Sequence, residues 1–200
     1  MRLISSGKVL EVGCGAGQAL ACLTPSKYEA VGVEPNPDLA QAAGARLKEA
    51  GLKGAILNSG LAEARLPAET FDLVALFGTL HTYSSPRAIF MEVSRLLKDG
   101  GYVVIETPSL SSLTARLWGS RWHPLRDPAA DYLFTQPALE RLASVCGVAA
   151  GTVLPPVPAG WPAPGMLVMV GRKSSVSVKA PGLASLAGQV RKMAPMGATE

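Results

Sequence analysis

Residues 9–17 read VLEVGCGAG. Apolar, β-prone residues carrying one carboxylate, Glu11, run into glycines at positions 13, 15 and 17. A strand that opens into a glycine cluster lets bare backbone lie against a ligand, where a Cβ would hold it off. Outward from this stretch, strand and helix patterns alternate. Residues 18–23 have the composition of a short helix, and AVGVE at 30–34 reads as a second strand. PDLAQAAGARLKEA at 37–50 is helical, with Pro37 near its start and Gly51 just past its end. KGAIL at 53–57 and FDLVALF at 71–77 are strands three and four. In PRAIFMEVSRLLK at 86–98, Ile89, Val93, Leu96 and Leu97 share one helical face. The DGG that follows is expected to close this helix with a left-handed glycine cap, before GYVVIET at 101–107 forms strand five. A last helix is expected at 137–146. After it, GVAAGTVL and GMLVMVGRK pair as an antiparallel hairpin at the sheet edge, with prolines in their connection.

Uninterrupted Val/Ile/Leu strands separated by helices specify an α/β fold. The expected architecture is a Rossmann-like, doubly wound, mostly parallel seven-stranded sheet ending in an antiparallel C-terminal hairpin. Ligands of such sheets sit beyond the carboxyl ends of the strands, at the switch point. Residues 11–17, Glu34, 77–83 and 106–108 are therefore where a site should form. One domain is expected over residues 1–173, with 108–136 as an insertion of little periodicity. Residues 174–200 read as a flexible basic tail, within which LASLAGQVRKM has the composition of a short amphipathic helix.

With 48% hydrophobic and 17% charged residues, the 200-residue chain has the composition of a globular protein. Its net charge of +4 is not a nucleic-acid face. Before residue 171, fourteen Lys or Arg are matched by fourteen Asp or Glu. The excess is Arg172, Lys173, Lys179, Arg191 and Lys192 against Glu200. No apolar run reaches the roughly 18 residues of a membrane span. Ser5, Ser6, Gly7 and Lys8 interrupt any secretory leader. Cys14, Cys22 and Cys146 lack metal or redox spacing and read as free thiols of a reducing cytoplasm.

Two ligand classes suit a glycine loop at the head of such a sheet. A dinucleotide needs G-x-G-x-x-G, but here Gln18 stands where the third glycine belongs. Charge separates the two further. A carboxylate 4 Å from a pyrophosphate charge, at an effective dielectric near 20, costs about 4 kcal/mol. S-adenosylmethionine has no phosphate and carries a sulfonium and an ammonium, so Glu11 becomes an attractive partner for it. The competing reading is that Glu11 only caps a neighbouring backbone amide. Glu34 ends the second strand, 21 residues after Gly13, where an acid accepts hydrogen bonds from ribose hydroxyls. Nicotinamide sites use that position too, so it gains weight only beside E-x-G-x-G-x-G.

These segments, with VGVEPNP, FDLVALFGTLHTYSSP and LLKDGGYVVIETP, resemble the successive motifs of class I S-adenosylmethionine-dependent methyltransferases. The stretch from LTARLWGSRWHPLRDP to DYLFTQPALERLASVCGV is similar to a bacterial subgroup often found with saccharide and small-molecule biosynthesis genes. The resemblance runs from about Lys8 to Gly171. It implies that Glu11, Gly13, Cys14, Gly15 and Gly17 surround the methionine portion of the cofactor. Glu34 would take the ribose hydroxyls, with Pro35 and Asn36 near the adenine. Gly60, Leu61 and Ala62 would lie along the adenine edge, Leu61 through its backbone. Phe77 and Gly78 would line the site below the sulfonium.

The chain departs from the family pattern at several points. The family often has an acid in the third-strand loop, where NSGLAE puts Leu61. Leu80, His81 and Thr82 replace a common Leu-Glu-His, and AADYLFT lacks a histidine usual before Phe-Thr. Family domains also open with a helix ahead of the first strand. Only seven residues precede Lys8, so the expectation is a truncated form, an open-lidded variant, or cover borrowed from a second copy or a partner subunit.

The expected activity is methyl transfer to an oxygen or nitrogen of a small-molecule acceptor. Rival readings are a methyltransferase-fold binding subunit with little or no activity and a nicotinamide-dependent oxidoreductase. In-line displacement from a sulfonium requires alignment and desolvation, and a base only for a hydroxyl of high pKa. His81 follows strand four and suits that role, or else bonds a loop carbonyl. Tyr83, Glu106, Trp118, Trp122 and His123 are candidates for acceptor contact. With Arg121 and Arg126, the tryptophans form either a stacking site or a lid packed on the sheet edge.

Overall fold

A computed structural model describes residues 3–23, 25–154, 165–174 and 191–192. Strands β1 (Gly7–Val12), β2 (Tyr28–Val33), β3 (Lys53–Leu57), β4 (Phe71–Phe77) and β5 (Leu97–Pro108) are joined in parallel. β8 (Met166–Lys173) runs antiparallel to both β5 and β7 (Val148–Leu154). The seven strands lie in the order β3-β2-β1-β4-β5-β8-β7, so the chain reverses direction across the sheet between β1 and β4. That reversal is the switch point at which open α/β sheets bind ligands. The expected hairpin forms at the edge, as anticipated. Its proline-rich connection lies outside the described residues.

Helices cover both faces, and side-chain parity along β1 assigns them. Val9 packs with Ala30, Ala43, Leu47 and Leu52 under α1 (Pro37–Glu49). Leu10 and Val12 point the other way, into a core shared with Phe90 and Val93 of α2 (Pro86–Leu96) and Leu139 and Leu142 of α4 (Gln136–Val145). Local chemistry sets the helix starts. The Asn36 side chain accepts from the backbone N–H groups of Asp38 and Leu39, with Pro37 at the first position. Ser85 accepts from the Ala88 N–H ahead of Pro86 in the same manner.

Two local expectations are corrected. The helix expected at 18–23 is a single 3-10 turn, Leu20–Cys22. Gly17, at φ 75°, precedes it and Leu23, already extended at ψ 151°, closes it, so the element stays one turn long. α2 ends at Leu96 without its glycine cap. Leu97 is already extended and paired with Phe71, and the Lys98 ammonium contacts both Asp72 carboxylate oxygens at 2.9 Å. These contacts draw the chain into β5 before Gly100 is reached. Gly100 turns instead within an irregular stretch of that strand, at φ 74°.

The insertion holds a short helix, α3 (Leu113–Trp118), two 3-10 turns and a two-residue strand, β6 (Tyr132–Leu133). β6 pairs antiparallel with β9 (Arg191–Lys192). Most of the amphipathic helix expected at 183–193, like the rest of the tail, lies outside the described residues. Among the described residues, no helix is long and apolar enough to cross a membrane.

Candidate functional site

The glycine loop is strapped to the end of β2. The N–H groups of Gly13 and Cys14 both donate to the Val33 carbonyl, at 2.9 and 3.1 Å. The first two loop glycines differ in what they face. A Cβ on Gly13 would come within 2.5 Å of Thr79 Cγ2. Thr79 in turn donates its hydroxyl to the Val12 carbonyl at 3.1 Å, stitching the end of β4 to the loop. Gly15 has nothing within 4 Å of its Cβ position, so the loop is open there.

Glu34 reaches across this opening. One carboxylate oxygen accepts from the Gly15 N–H and the other from the Asn36 N–H, each at 2.9 Å, and the residue is buried. Asn58 fixes the backbone on either side, donating to the Glu34 and Pro35 carbonyls at 2.9 and 3.0 Å.

Glu11 shares the parity of Val9 and points toward the Leu20 turn, where the Leu20 N–H bonds its carboxylate. The second oxygen, Oε2, is buried and has no partner among the described residues. Burial pushes its pKa up from 4.5 to about 7, against the opposing effect of the Leu20 N–H. The amide-capping role is thus real and accounts for one oxygen only. Cys14 is a protonated, inert thiol. Burial and then the negative charges of Glu11 and Glu34 push it up to about 12.

In the third-strand loop, Leu61 is buried in the main core, and Ala62 is exposed. The Glu63 carboxylate lies against Gly60, at the position a Cβ there would need. Glu63 and Glu34 both raise the Tyr83 phenol above its ordinary pKa, after the larger effect of burial, which brings the three residues into one neighbourhood. The loop does carry an acid, two positions beyond Leu61, where motif matching alone did not find it.

A model of the family described as a methyltransferase domain matches residues 2–148. The chain belongs to this methyltransferase family. The Bacillus subtilis methyltransferase YcgJ is 29% identical over 129 residues, covering 61% of this chain and 49% of that protein. A ubiquinone biosynthesis O-methyltransferase from Methylococcus capsulatus is 31% identical over 107 residues, 52% of this chain and 44% of that protein. The chain spans about half the length of the curated relatives it matches. The crystal structure of YcgJ superposes with a TM-score of 0.68 at 18% identity, over 86% of this chain and 94% of that one. A Haloferax volcanii complex containing the methyltransferase activator Trm112 gives 0.68 at 16% identity, over 87% and 85%. At these identities the solved neighbours establish the Rossmann-like fold.

S-adenosylmethionine is the methyl donor of this family. The residues of this methyltransferase domain fit it on two counts. A buried carboxylate oxygen without a partner suits a cationic ligand. The space beside Gly15 admits backbone contact.

The residues expected at the acceptor lie at the ends of β4 and β5 and in the insertion. Gly78 N–H donates to the Glu106 carbonyl at 3.0 Å, joining the two strand ends. His81, in the 3-10 turn Leu80–Thr82, is buried, and its Nδ1 has no partner among the described residues. Desolvation lowers its pKa, opposed by the negative charge of Asp127. The insertion is clamped to this turn: Asp131 N–H donates to the His81 carbonyl at 2.9 Å, and the Tyr132 hydroxyl to the Ser84 carbonyl at 3.1 Å. The two insertion tryptophans part company. Trp122 is buried against Ala115 and Leu133, as a lid residue would be, whereas Trp118 is 63% exposed. His123 is exposed and lines a cavity with both of them.

Proposed function

We propose that this methyltransferase domain moves a methyl group to an oxygen or nitrogen atom of a small-molecule acceptor by in-line displacement. One observation carries the reading: the buried, half-partnered Glu11 carboxylate beneath a glycine loop that Glu34 closes from the opposite side. When bound, S-adenosylmethionine supplies a methyl group activated on a sulfonium. Glu11, Gly13, Cys14, Gly15 and Gly17 would enclose its methionine part, and Glu34 its ribose. Pro35, Gly60, Leu61 and Ala62 would border the adenine, with Glu63 taking the part of the acid expected in that loop. Phe77 and Gly78 would exclude water beside the reacting centre. Alignment of this kind contributes about 7–11 kcal/mol without a base. The O-methyltransferase among the relatives favours oxygen as the acceptor atom.

Titration calorimetry with S-adenosylhomocysteine tests the reading. Glu34→Ala is expected to weaken binding about tenfold, since it removes an acceptor of two charge-assisted bonds. Absence of binding to the folded chain would overturn the proposal.

For a hydroxyl acceptor, His81 is the proposed base, with Tyr83 and Glu106 beside the acceptor. Because burial lowers the His81 pKa, its neutral form persists below pH 6.5. With an acceptor found by a radiolabelled-donor screen and the donor saturating, kcat/KM for the acceptor should stay flat down through pH 6.5 and fall only at lower pH. His81→Asn should lower the plateau and remove the acid limb. An unchanged profile would leave His81 as a loop residue only.

A further inference from the structure

We infer that the cavity between α3, the two 3-10 turns after it and the start of β8 holds the far end of the acceptor, and that this end is an aromatic ring bearing a carboxylate. The inference rests on the methyltransferase reading above and adds a substrate class to it. The cavity has a volume of about 420 Å³ and is lined by Trp118, Arg121, Trp122, His123, Thr114 and Met166, among others. That volume is in the range of small-molecule sites, which combine apolar walls with a few polar groups.

The lining separates two chemistries. Trp122 is the wall that packs inward, held by Ala115 and Leu133. Trp118 presents most of its surface to solvent, beside the still more exposed Leu117. An indole left open beside a second indole offers a stacking face for a planar ring. Among the described residues that line the cavity, Arg121 is the one charged side chain and none is a carboxylate. Its guanidinium is exposed and makes no ion pair or hydrogen bond with the described residues. A planar fork of donors without an internal partner matches a carboxylate in two parallel bonds. A ring on Trp118 and an anion on Arg121 satisfy both features with one ligand.

Sheet order sets the length of that ligand. Gly165 and Met166 line the cavity where β8 begins, opposite Pro108 at the carboxyl end of β5. From the end of β4, with Phe77, Gly78 and His81, to β8 is two strand spacings of about 4.8 Å, or about 10 Å. An acceptor methylated beside β4 and anchored beside β8 spans about that distance, the length of two or three fused or linked rings.

The test uses the full chain, with and without saturating S-adenosylhomocysteine, and three probes in titration calorimetry: 2-naphthoate, 2-naphthalenemethanol and cyclohexanecarboxylate. The naphthoate is expected to bind more tightly than either control. Arg121→Gln should weaken naphthoate about five- to tenfold and leave the alcohol unchanged, while Trp118→Ala should weaken both aromatic probes. Both residues are exposed, so the variants should keep the wild-type affinity for S-adenosylhomocysteine. Equal binding of naphthoate and the alcohol, or an Arg121→Gln chain that holds naphthoate as well as wild type, overturns the inference. Loss of S-adenosylhomocysteine binding with naphthoate binding intact overturns the methyltransferase reading and leaves the cavity assignment standing.

Discussion

Glu11→Gln is expected to make the folded chain more stable at pH 8 while removing most of its affinity for S-adenosylhomocysteine. The two effects have one cause. Burial raises the Glu11 pKa from 4.5 to about 7, so between those values the folded state holds a proton that the unfolded state has released. The associated stability is fully present below about pH 4.5 and is lost as pH rises through about 7. At 1.36 kcal/mol per pH unit, the loss amounts to about 3 kcal/mol. Glutamine does not titrate and escapes it. The gap in urea midpoint between variant and wild type should therefore widen from pH 5 to pH 8. The same ionised carboxylate is what the ligand's ammonium gains from; S-adenosylhomocysteine lacks the sulfonium but keeps that ammonium, and the Glu11→Gln chain should bind it about 10- to 100-fold more weakly. At pH 6, wild-type binding should also release a proton, visible as a dependence of the binding enthalpy on buffer ionisation. A variant that tracks wild type through the whole pH series, or that binds equally well, would refute this account of the loop.

Gly54→Ala is expected to lower the melting temperature by about 6–12 °C, from a destabilisation of about 3 kcal/mol or more. Gly54 lies in β3 opposite Ala30 of β2, at φ 146°, a conformation that residues with a Cβ rarely adopt. A Cβ there would collide with the Ala30 carbonyl oxygen, which is backbone and has no rotamer to change. Ala30 is fully buried, and β1 pairs on the other side of β2. The strain must therefore be relieved by displacing β3. Asn58 follows directly on β3 and holds the Glu34 carbonyl, so the surviving folded molecules should also bind S-adenosylhomocysteine less well. Differential scanning calorimetry decides the matter, and an unchanged melting temperature would show that the β2–β3 ladder is far more compliant than its geometry implies.

The parts of the fold and site that were legible in the sequence are those encoded by near neighbours. The strand residues Val9, Leu10 and Val12, the glycines behind them and Glu34 at the end of β2 each declare themselves through local pattern. Pro37 and the start of PRAIFMEVSRLLK at Pro86 likewise match the first residues of α1 and α2. What was not legible depends on contacts across the chain. Nothing local says that Glu34 bonds the N–H of Gly15, or that Gly13 must be a glycine because Thr79, 66 positions on, packs against it. Glu63 escaped because motif matching fixed on Leu61, whereas the turn over 61–64 brings the later side chain back against Gly60. Trp118 and Trp122 are alike in composition and close in sequence, and only the packing of Leu133 and Ala115 around one of them separates their fates.

The reversed direction of β8 has a consequence for how this molecule can change. Because β8 runs against β5, the connection from Leu154 to Gly165 leaves and re-enters the sheet at the same rim where β5 delivers the insertion. The insertion and the two described ends of that connection, Leu154 and Gly165, thus share one rim of the sheet. Glu11, Glu34 and Asn58 are held by β1, β2 and the segment after β3 on the opposite flank. Substitutions in the insertion can therefore reshape the cavity beside Trp118 and Trp122 while β1, β2 and Asn58 keep the register of the glycine loop.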